Sequence, residues 1–290
     1  MPTFLIAVFT MLFFSFAARA TDVVVWERNY NNPFFKQTLL NISQLTESDF
    51  ESINFVPSKR MEQGRAFAEL LKGNIDIFIA AADAKREKLA KPIYVPIDRG
   101  LLGFRVCLVN KSATGFTGIN SPEDFVNRQL TIGLGSHWPD RQIYESNGFS
   151  VVTSPVLDSL FSMLEKNRFD CFSRSVNEVS EELKNYNGNQ IKADDNIVFI
   201  YPNADFIFVN PKNPRLHRRL SYGMGRALEN KSFYQIFDTF FNSQLKEQGI
   251  YQRHLLILQN EQISAKALSA INRFGIASFA SKPIESDNKE

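Results

Sequence analysis

Residues 71–78 read LKGNIDIF, which is the end of a helix, a polar turn and an apolar strand in succession. Residues 164–172 repeat this order as LEKNRFDCF. A helix that leads into a short, continuous apolar strand is typical of a parallel sheet covered on both faces. Two such units in one chain predict two lobes of similar build.

Short apolar runs alternate with helical patterns outward from these two segments, which predicts an α/β fold with largely parallel sheets. We predict strands at 22–26, 53–56, 75–80, 130–134, 151–152, 169–173, 197–201 and 205–209. Ser121-Pro122-Glu123-Asp124 predicts a helix start, because Ser caps the helix and Pro fits its first position. Ser154-Pro155 predicts a second start, with Val156, Leu160 and Leu164 facing inward. The apolar helix face from Phe233 to Phe241 is assigned to packing.

The first twenty residues have the composition of a cleaved signal peptide. Residues 4–17 are almost wholly apolar, and Ala18 and Ala20 place small side chains before a cut. The run is too short to span a bilayer, which takes roughly 20 apolar residues. No Lys or Arg precedes it, which is atypical, and a buried helix is the alternative. With no Cys at the cut, we expect an unlipidated, soluble periplasmic protein.

The composition is that of a globular protein and excludes several classes. The chain is 44% apolar, and 33 Lys and Arg nearly balance 31 Asp and Glu, so a nucleic-acid partner is not expected. Its two cysteines, Cys107 and Cys171, lie in apolar runs, where buried thiols are favoured over a disulfide between them. The three histidines, His137, His217 and His254, lack metal-ligand spacing, and no cofactor motif is present.

Several stretches, taken in order, resemble the bacterial extracellular solute-binding proteins of family 3. They are Arg65-Ala66, residues 70–76, 85–88, 130–136, 167–170 and 233–241, within a span of 22–257. Residues 100–105 and 137–140 are similar to an orphan subgroup of that family.

The resemblance implies an α/β, two-lobed, type II periplasmic-binding fold. Lobe 1 would comprise 21–109 plus 203–280 and lobe 2 would comprise 110–202, after a signal peptide at 1–20 and before a flexible tail at 281–290. Crossing strands would lie near 108–111 and 202–205. A non-enzymatic monomer would hold a small, carboxylate-bearing molecule between the lobes and present it to an inner-membrane ABC transporter or a sensor.

The ligand is expected beyond the carboxyl ends of the strands, as in other open α/β sheets. The resemblance places an aromatic there, and Trp26 or Tyr30 would serve, with loop packing as the alternative for Tyr30. Arg86 matches the family arginine that binds a ligand carboxylate through its planar fork. A solvated charged helix is the alternative for Arg86. Asp83 or Glu27 would hold a ligand ammonium.

The second lobe offers four further candidates. Ser136 precedes a helix, where free backbone N–H groups favour an anion, and His137 and Trp138 follow in the same turn. A structural role is the alternative for both aromatic residues. Amino-acid-binding members carry an Asp after residues 169–172, but this chain has Arg174 there. Arg174 would repel an ammonium and attract a carboxylate, which weakens the case for an amino-acid ligand.

A second hypothesis is a periplasmic enzyme on the same fold, such as a dehydratase. It would require a general acid in the cleft, and Glu27, Asp83 and His137 are the candidates.

Overall fold

The computed structural model describes residues 20–113, 116–186 and 188–279. Twelve strands occur in this part of the chain: β1 Thr21–Val25, β2 Ile53–Pro57, β3 Ile77–Ala81, β4 Lys91–Ile93, β5 Phe104–Asn110, β6 Thr131–Gly135, β7 Ser150–Ser154, β8 Cys171–Ser175, β9 Ile191–Ala193, β10 Ile197–Ile200, β11 Asp205–Val209 and β12 His254–Ile257. They form two mixed sheets, in the orders β2-β1-β3-β11-β4 and β12-β10-β5-β8-β6-β7, with β9 paired to β5. The predicted α/β fold is confirmed.

Eleven α-helices cover the two sheets within the described residues. They are α1 Glu27–Asn31, α2 Pro33–Gln44, α3 Gln63–Lys72, α4 Ala84–Leu89, α5 Pro122–Asn127, α6 Asp140–Ser146, α7 Leu157–Glu165, α8 Val179–Asn185, α9 Pro214–Glu229, α10 Ser232–Glu247 and α11 Ala265–Phe274. None of the helices in this part of the chain is long and apolar enough to cross a membrane.

The predicted helix start at Ser121 is a complete capping box. The Ser121 hydroxyl accepts from the Asp124 backbone N–H at 3.2 Å, and the Asp124 carboxylate accepts from the Ser121 N–H at 3.0 Å. The start predicted at Ser154 was wrong by two residues, because α7 begins at Leu157. Val156 precedes the helix and is 40% exposed, so it does not face inward as expected.

The chain crosses between the sheets earlier than predicted. Because β4 lies in the first sheet and β5 in the second, the first crossing is at 94–103, not near 108–111. The second crossing joins β10 to β11 and agrees with the expected position at 202–205. At Gly103 the crossings touch, since a Cβ there would overlap the carbonyl oxygen of Tyr201. The two segments therefore pack directly on each other.

Two strands expected in lobe 1 belong to the second sheet. β5 pairs with β8 and β10, and β12 pairs in parallel with β10. The chain then returns to the first sheet, where Ala267, Ala270 and Ile271 of α11 pack in one core cluster with Phe78. The C-terminal part therefore contributes to both sheets rather than to lobe 1 alone.

Cys107 and Cys171 form a disulfide, so the expectation of buried free thiols was wrong. The bond links β5 to β8 inside the core of the second sheet, and both residues are fully buried. Strands 64 residues apart in sequence become neighbours through the sheet, a juxtaposition that the local sequence does not encode. Disulfides persist in oxidising compartments, so this bond is consistent with export.

The signal peptide predicted at 1–20 falls, except for Ala20, outside the described residues, as does the tail predicted at 281–290.

Candidate functional site

A cavity of about 310 Å³ lies between the two sheets. Ile79 to Ala81 of β3 line one wall, and Arg105 and Arg174 of the second sheet line the other. Aromatic rings of Trp26, Phe34, Phe35, Trp138, Phe240 and Phe241 complete it. The volume is at the small end of the roughly 300–1,000 Å³ range of ligand pockets, which suits a metabolite-sized molecule.

Trp26 lines this cavity. Its indole Nε1 donates to the carbonyl oxygen of Met61 at 3.1 Å, and its ring lies 5.2 Å from that of Phe78. These contacts fix the ring against β3. The Arg28 guanidinium lies 5.8 Å from the centroid of the Trp26 ring, within the range of a cation–π contact.

Tyr30 does not line the cavity. Its ring packs against the first core, with the Lys36 ammonium 4.6 Å above its centroid. Asn29 takes the inward position of this short helix instead. Its side chain accepts from the Ile79 N–H at 2.8 Å and donates to the Ile79 carbonyl oxygen at 3.0 Å, which holds α1 on β3.

Arg86 is buried and its guanidinium is occupied by protein acceptors. Nη1 donates to the carbonyl oxygen of Ala81 at 2.8 Å, and Nη2 donates to that of His137 at 3.0 Å. Nε lies 3.3 Å from the Asp83 carboxylate, which also caps α4 through the Arg86 N–H. Burial lowers the pKa of this guanidinium. Arg86 and Asp83 thus lie beside the cavity rather than in its lining, and Arg86 connects the two sheets.

Ser136 and His137 lie next to a separate space of about 20 Å³. The Ser136 N–H already donates to the carbonyl oxygen of Ser154 at 2.9 Å, so it is not free for an anion. The His137 ring lies against Gly64, where an added Cβ would sit 3.0 Å from it. This close approach of the turn to α3 is a contact between the two halves of the molecule.

Trp138 and Arg174 both line the main cavity, and they lie together. The Arg174 guanidinium is 4.6 Å from the Trp138 ring centroid, a cation–π distance, and Trp138 is nearly parallel to Phe172 at 6.4 Å. Arg174 is buried and forms ion pairs with Glu182, through Nε at 2.7 Å, and with Glu178 at 3.0 Å. The acidic partners of Arg174 thus follow it by four and eight residues: Glu178 directly precedes α8, and Glu182 lies within α8.

Arg105 and Asp140 form a buried ion pair at 3.4 Å that the sequence analysis missed. The Tyr201 hydroxyl donates to Asp140 at 2.7 Å, and Arg105 donates to the carbonyl oxygen of Ser173 at 3.0 Å. Burial opposes the charge of Arg105, but the combined attraction of Asp140, Tyr201, Glu178 and Tyr144 outweighs it and holds the pKa of Arg105 above its ordinary value. Burial also raises the pKa of Tyr201, so its proton stays on the hydroxyl.

Two carboxyl groups meet where the chain crosses between the sheets. Asp98 lies in the first crossing and is fully buried; it accepts from the N–H groups of Leu102 at 2.6 Å, Gly100 at 3.2 Å and Asp205 at 3.0 Å. Asp205 begins β11 directly after the second crossing and lines the cavity. Burial raises the pKa of Asp98 to about 7 and that of Asp205 well above its ordinary range, where Asp98 adds to the effect.

Of the eight predicted site residues, the structure brings Trp26, Trp138 and Arg174 to the cavity. Asp83, Arg86, Ser136 and His137 lie beside it, and Tyr30 packs elsewhere. The residues that were missed include Arg105, Asp140, Glu178, Asp205 and Phe240. Glu178 and Glu182 lie close to Arg174 in sequence, but Arg174 belongs to strand β8, so helical spacing does not predict the pairing. Within the described residues, no group of three His, Cys, Asp or Glu is arranged to hold a metal ion.

No family model matches the chain, and no curated protein matches its sequence. Solved structures match it with low identity. An ancestral arginine-binding protein bound to arginine is 17% identical with a TM-score of 0.56, and the match covers 77% of this chain and 99% of that one. The substrate-binding protein of an amino acid ABC transporter is 14% identical at a TM-score of 0.55, with coverage of 77% and 100%.

An ancestral amino-acid-binding protein, a precursor of cyclohexadienyl dehydratase, is 12% identical with a TM-score of 0.55. That match covers 77% of this chain and 95% of the other. At such identities the similarity establishes the fold and not the ligand. The chain has the two-lobed fold of the periplasmic amino-acid-binding proteins.

Proposed function

We propose that this chain is a solute-binding protein, which holds one small molecule in the cavity between its two sheets and presents it to a membrane transporter or sensor. The cavity itself carries the proposal, because residues from both sheets line it, and in the described part of the chain the backbone passes between the sheets at two crossings and in its C-terminal segment. Hinge closure around a ligand needs this arrangement. The lobes defined from the sequence would be the moving parts, with the boundary shifted to place β5 in lobe 2.

A carboxylate-bearing solute was the expectation from Arg86 and Arg174. Both guanidinium groups already have acceptors in the protein. A ligand carboxylate would therefore displace Glu178 or Glu182 from Arg174, or bind Arg28, which lines the cavity and pairs with Glu62 at 2.9 Å. The ligand screen must for this reason include amines beside acids.

Tryptophan fluorescence supplies a direct test. The chain has two tryptophans, Trp26 and Trp138, and both line the cavity. A bound solute should change their emission and raise the melting temperature, since a ligand at ~100 Kd that binds only the folded state adds about 2.7 kcal/mol. Amino acids, organic acids and amines of metabolite size are the probes.

A pair of matched variants then places the ligand. Trp26→Leu should weaken binding at least tenfold, because an aromatic wall of the cavity is lost. Tyr30→Leu, one helical turn away and outside the cavity, should leave the affinity unchanged. Equal losses in the two variants, or no change in emission with any probe, would contradict the proposed site.

An enzyme on this fold is the second candidate, and one observation favours it. Asp205 faces the cavity with a raised pKa, which is the property required of a general acid. Glu27 and Asp83, the acids suggested from the sequence, do not line the cavity. Incubation of a stabilising solute with the protein, followed by mass spectrometry, separates the two functions. A binding protein returns the solute unchanged, whereas turnover would favour the enzyme.

A further inference from the structure

The arginines of the cavity are already paired with acids of the protein. Three arginines of the described chain line it, and their pairs are Arg28 with Glu62 at 2.9 Å, Arg105 with Asp140 at 3.4 Å and Arg174 with Glu178 at 3.0 Å. A solute carboxylate would have to break one of these pairs. For Arg105 and Arg174, whose side chains are buried, the acid left behind would lose its counter-charge, which is costly. A solute that carries a carboxylate is therefore disfavoured.

The two tryptophan rings of the cavity also have a cation beside them. The Arg28 guanidinium lies 5.8 Å from the Trp26 ring centroid, and that of Arg174 lies 4.6 Å from the Trp138 ring centroid. A solute ammonium placed against either ring would meet a guanidinium of like charge at short range. An uncharged ring meets no such repulsion and can stack on a tryptophan or on a guanidinium plane.

Aromatic side chains from two helices form a further wall. Phe35 of α2 and Phe240 of α10 line the cavity and are only partly buried. Phe34 lies behind them, with its ring centroid 5.6 Å from each of theirs. This packing holds both rings in place, so the wall is an aromatic surface of fixed shape.

Two glutamines in the lining carry buried atoms that lack a hydrogen-bond partner. They are Oε1 of Gln63, the first residue of α3, and Oε1 of Gln244 on α10, and neither has a partner within the described residues. Buried polar groups in native proteins almost always have one. A glutamine amide is uncharged and has both donors and an acceptor, so it matches a hydroxyl, an amide or a ring N–H.

We propose that the cavity takes an uncharged aromatic solute that carries hydroxyl or amide groups, with its ring against the aromatic walls and its polar groups bound to Gln63 and Gln244. This inference rests on the proposed solute-binding function and names the class of solute. It differs from the arginine bound by the ancestral protein compared above, because an amino acid carries a carboxylate and an ammonium group.

The experiment compares probes that share a ring and differ in charge. Tyrosol, tyramine, 4-hydroxyphenylacetate and tyrosine form one set, and uracil and orotate form another. In at least one set the uncharged member should raise the melting temperature, change the Trp emission and bind at least tenfold more tightly than its charged counterparts.

Two other results are informative. Equal or tighter binding of the charged members would overturn the inference and leave solute binding intact, and so would binding of an amino acid, organic acid or amine when no uncharged aromatic probe binds. No response to any probe, in these sets or in the broader screen, would count against the proposed function itself.

Gln244→Leu should weaken binding of the uncharged probe about tenfold, because leucine is of similar size but makes no hydrogen bond. Gln235→Leu makes the same change at an exposed position of α10 and should leave the affinity unchanged. Gln63→Leu tests the second amide and serves alone if Gln244→Leu does not fold. Unchanged affinity in the folded cavity variants would refute the assignment.

Discussion

The Arg86 guanidinium joins the two halves of the molecule, because its Nη2 donates to the carbonyl oxygen of His137 at 3.0 Å across the cleft. The same side chain is fixed from its own side by the Ala81 carbonyl and the Asp83 carboxylate. Opening of the cleft must break the bond to His137. In this structure Arg86 therefore joins β3 directly to the turn that carries His137.

Arg86→Ala should lower the free energy of unfolding by about 3 kcal/mol, since it leaves the carbonyl oxygen of Ala81 and the Asp83 carboxylate without their buried partner. Urea denaturation measures the change. The exposed Arg65→Ala provides the control and should stay within about 0.5 kcal/mol of the wild type. If Arg86→Ala behaves like Arg65→Ala and only ligand binding is lost, Arg86 contacts the ligand as the sequence suggested.

Arg174→Asp should destabilise the protein by about 3–5 kcal/mol. The substitution places a third acid beside Glu178 and Glu182 in a buried position and removes their counter-charge. Arg168→Asp makes the same change of charge on an exposed residue and should cost little. A stable Arg174→Asp variant that gains amino-acid binding would show instead that Arg174 faces the ligand with its charge available.

The fold could be predicted because its signals are local. β3 is an apolar run buried at every position, and the Ser121 capping box is complete within four residues. The site was harder to predict because its main features join distant residues. Asp98 and Asp205 are 107 positions apart and meet only where the two crossings pack together.

The contacts of Arg86 within the protein could not be predicted for a related reason. Its sequence neighbours show a charged helix and not the His137 carbonyl, which lies 51 residues further along the chain. Arg174 differs, since its partners Glu178 and Glu182 lie only four and eight residues further along the chain. When the partners of a charged residue are near it in sequence, its ion pairs can be predicted from the sequence. When the partners come from another element, the fold must be known first.

Loss of the Cys107–Cys171 disulfide should lower stability by about 4 kcal/mol, because the bond closes a 64-residue loop and removes entropy from the unfolded chain. The Cys107→Ala/Cys171→Ala double variant, compared with the wild type by urea denaturation, measures the effect. The wild type under dithiothreitol should approach the variant once the disulfide is reduced. Equal stability of the oxidised and the disulfide-free proteins would show that the bond contributes nothing in solution.

The titration of Asp98 should lower the free energy of unfolding as the pH rises from about 4 to about 7. Burial raises the pKa of Asp98 from 3.8 to about 7, so in this window the folded state holds a proton that the unfolded state has released. The stabilisation is fully present below the pKa of Asp98 in the unfolded state. It is lost as the pH rises through the pKa of Asp98 in the folded state. Each pKa unit between the folded and the unfolded state corresponds to about 1.4 kcal/mol in the free energy of unfolding.

Asp98→Asn removes this titration, because the amide stays neutral at every pH. The variant loses hydrogen bonds at any pH, so the informative quantity is its stability relative to the wild type. Urea denaturation at pH 5 should show that the variant is less stable than the wild type. At pH 8 this deficit should be smaller by more than 1 kcal/mol. Asp195→Asn, at a side chain 89% exposed, should give a constant difference. A deficit that is the same for Asp98→Asn at both pH values would mean that Asp98 is ionised throughout and that the crossings hold no proton.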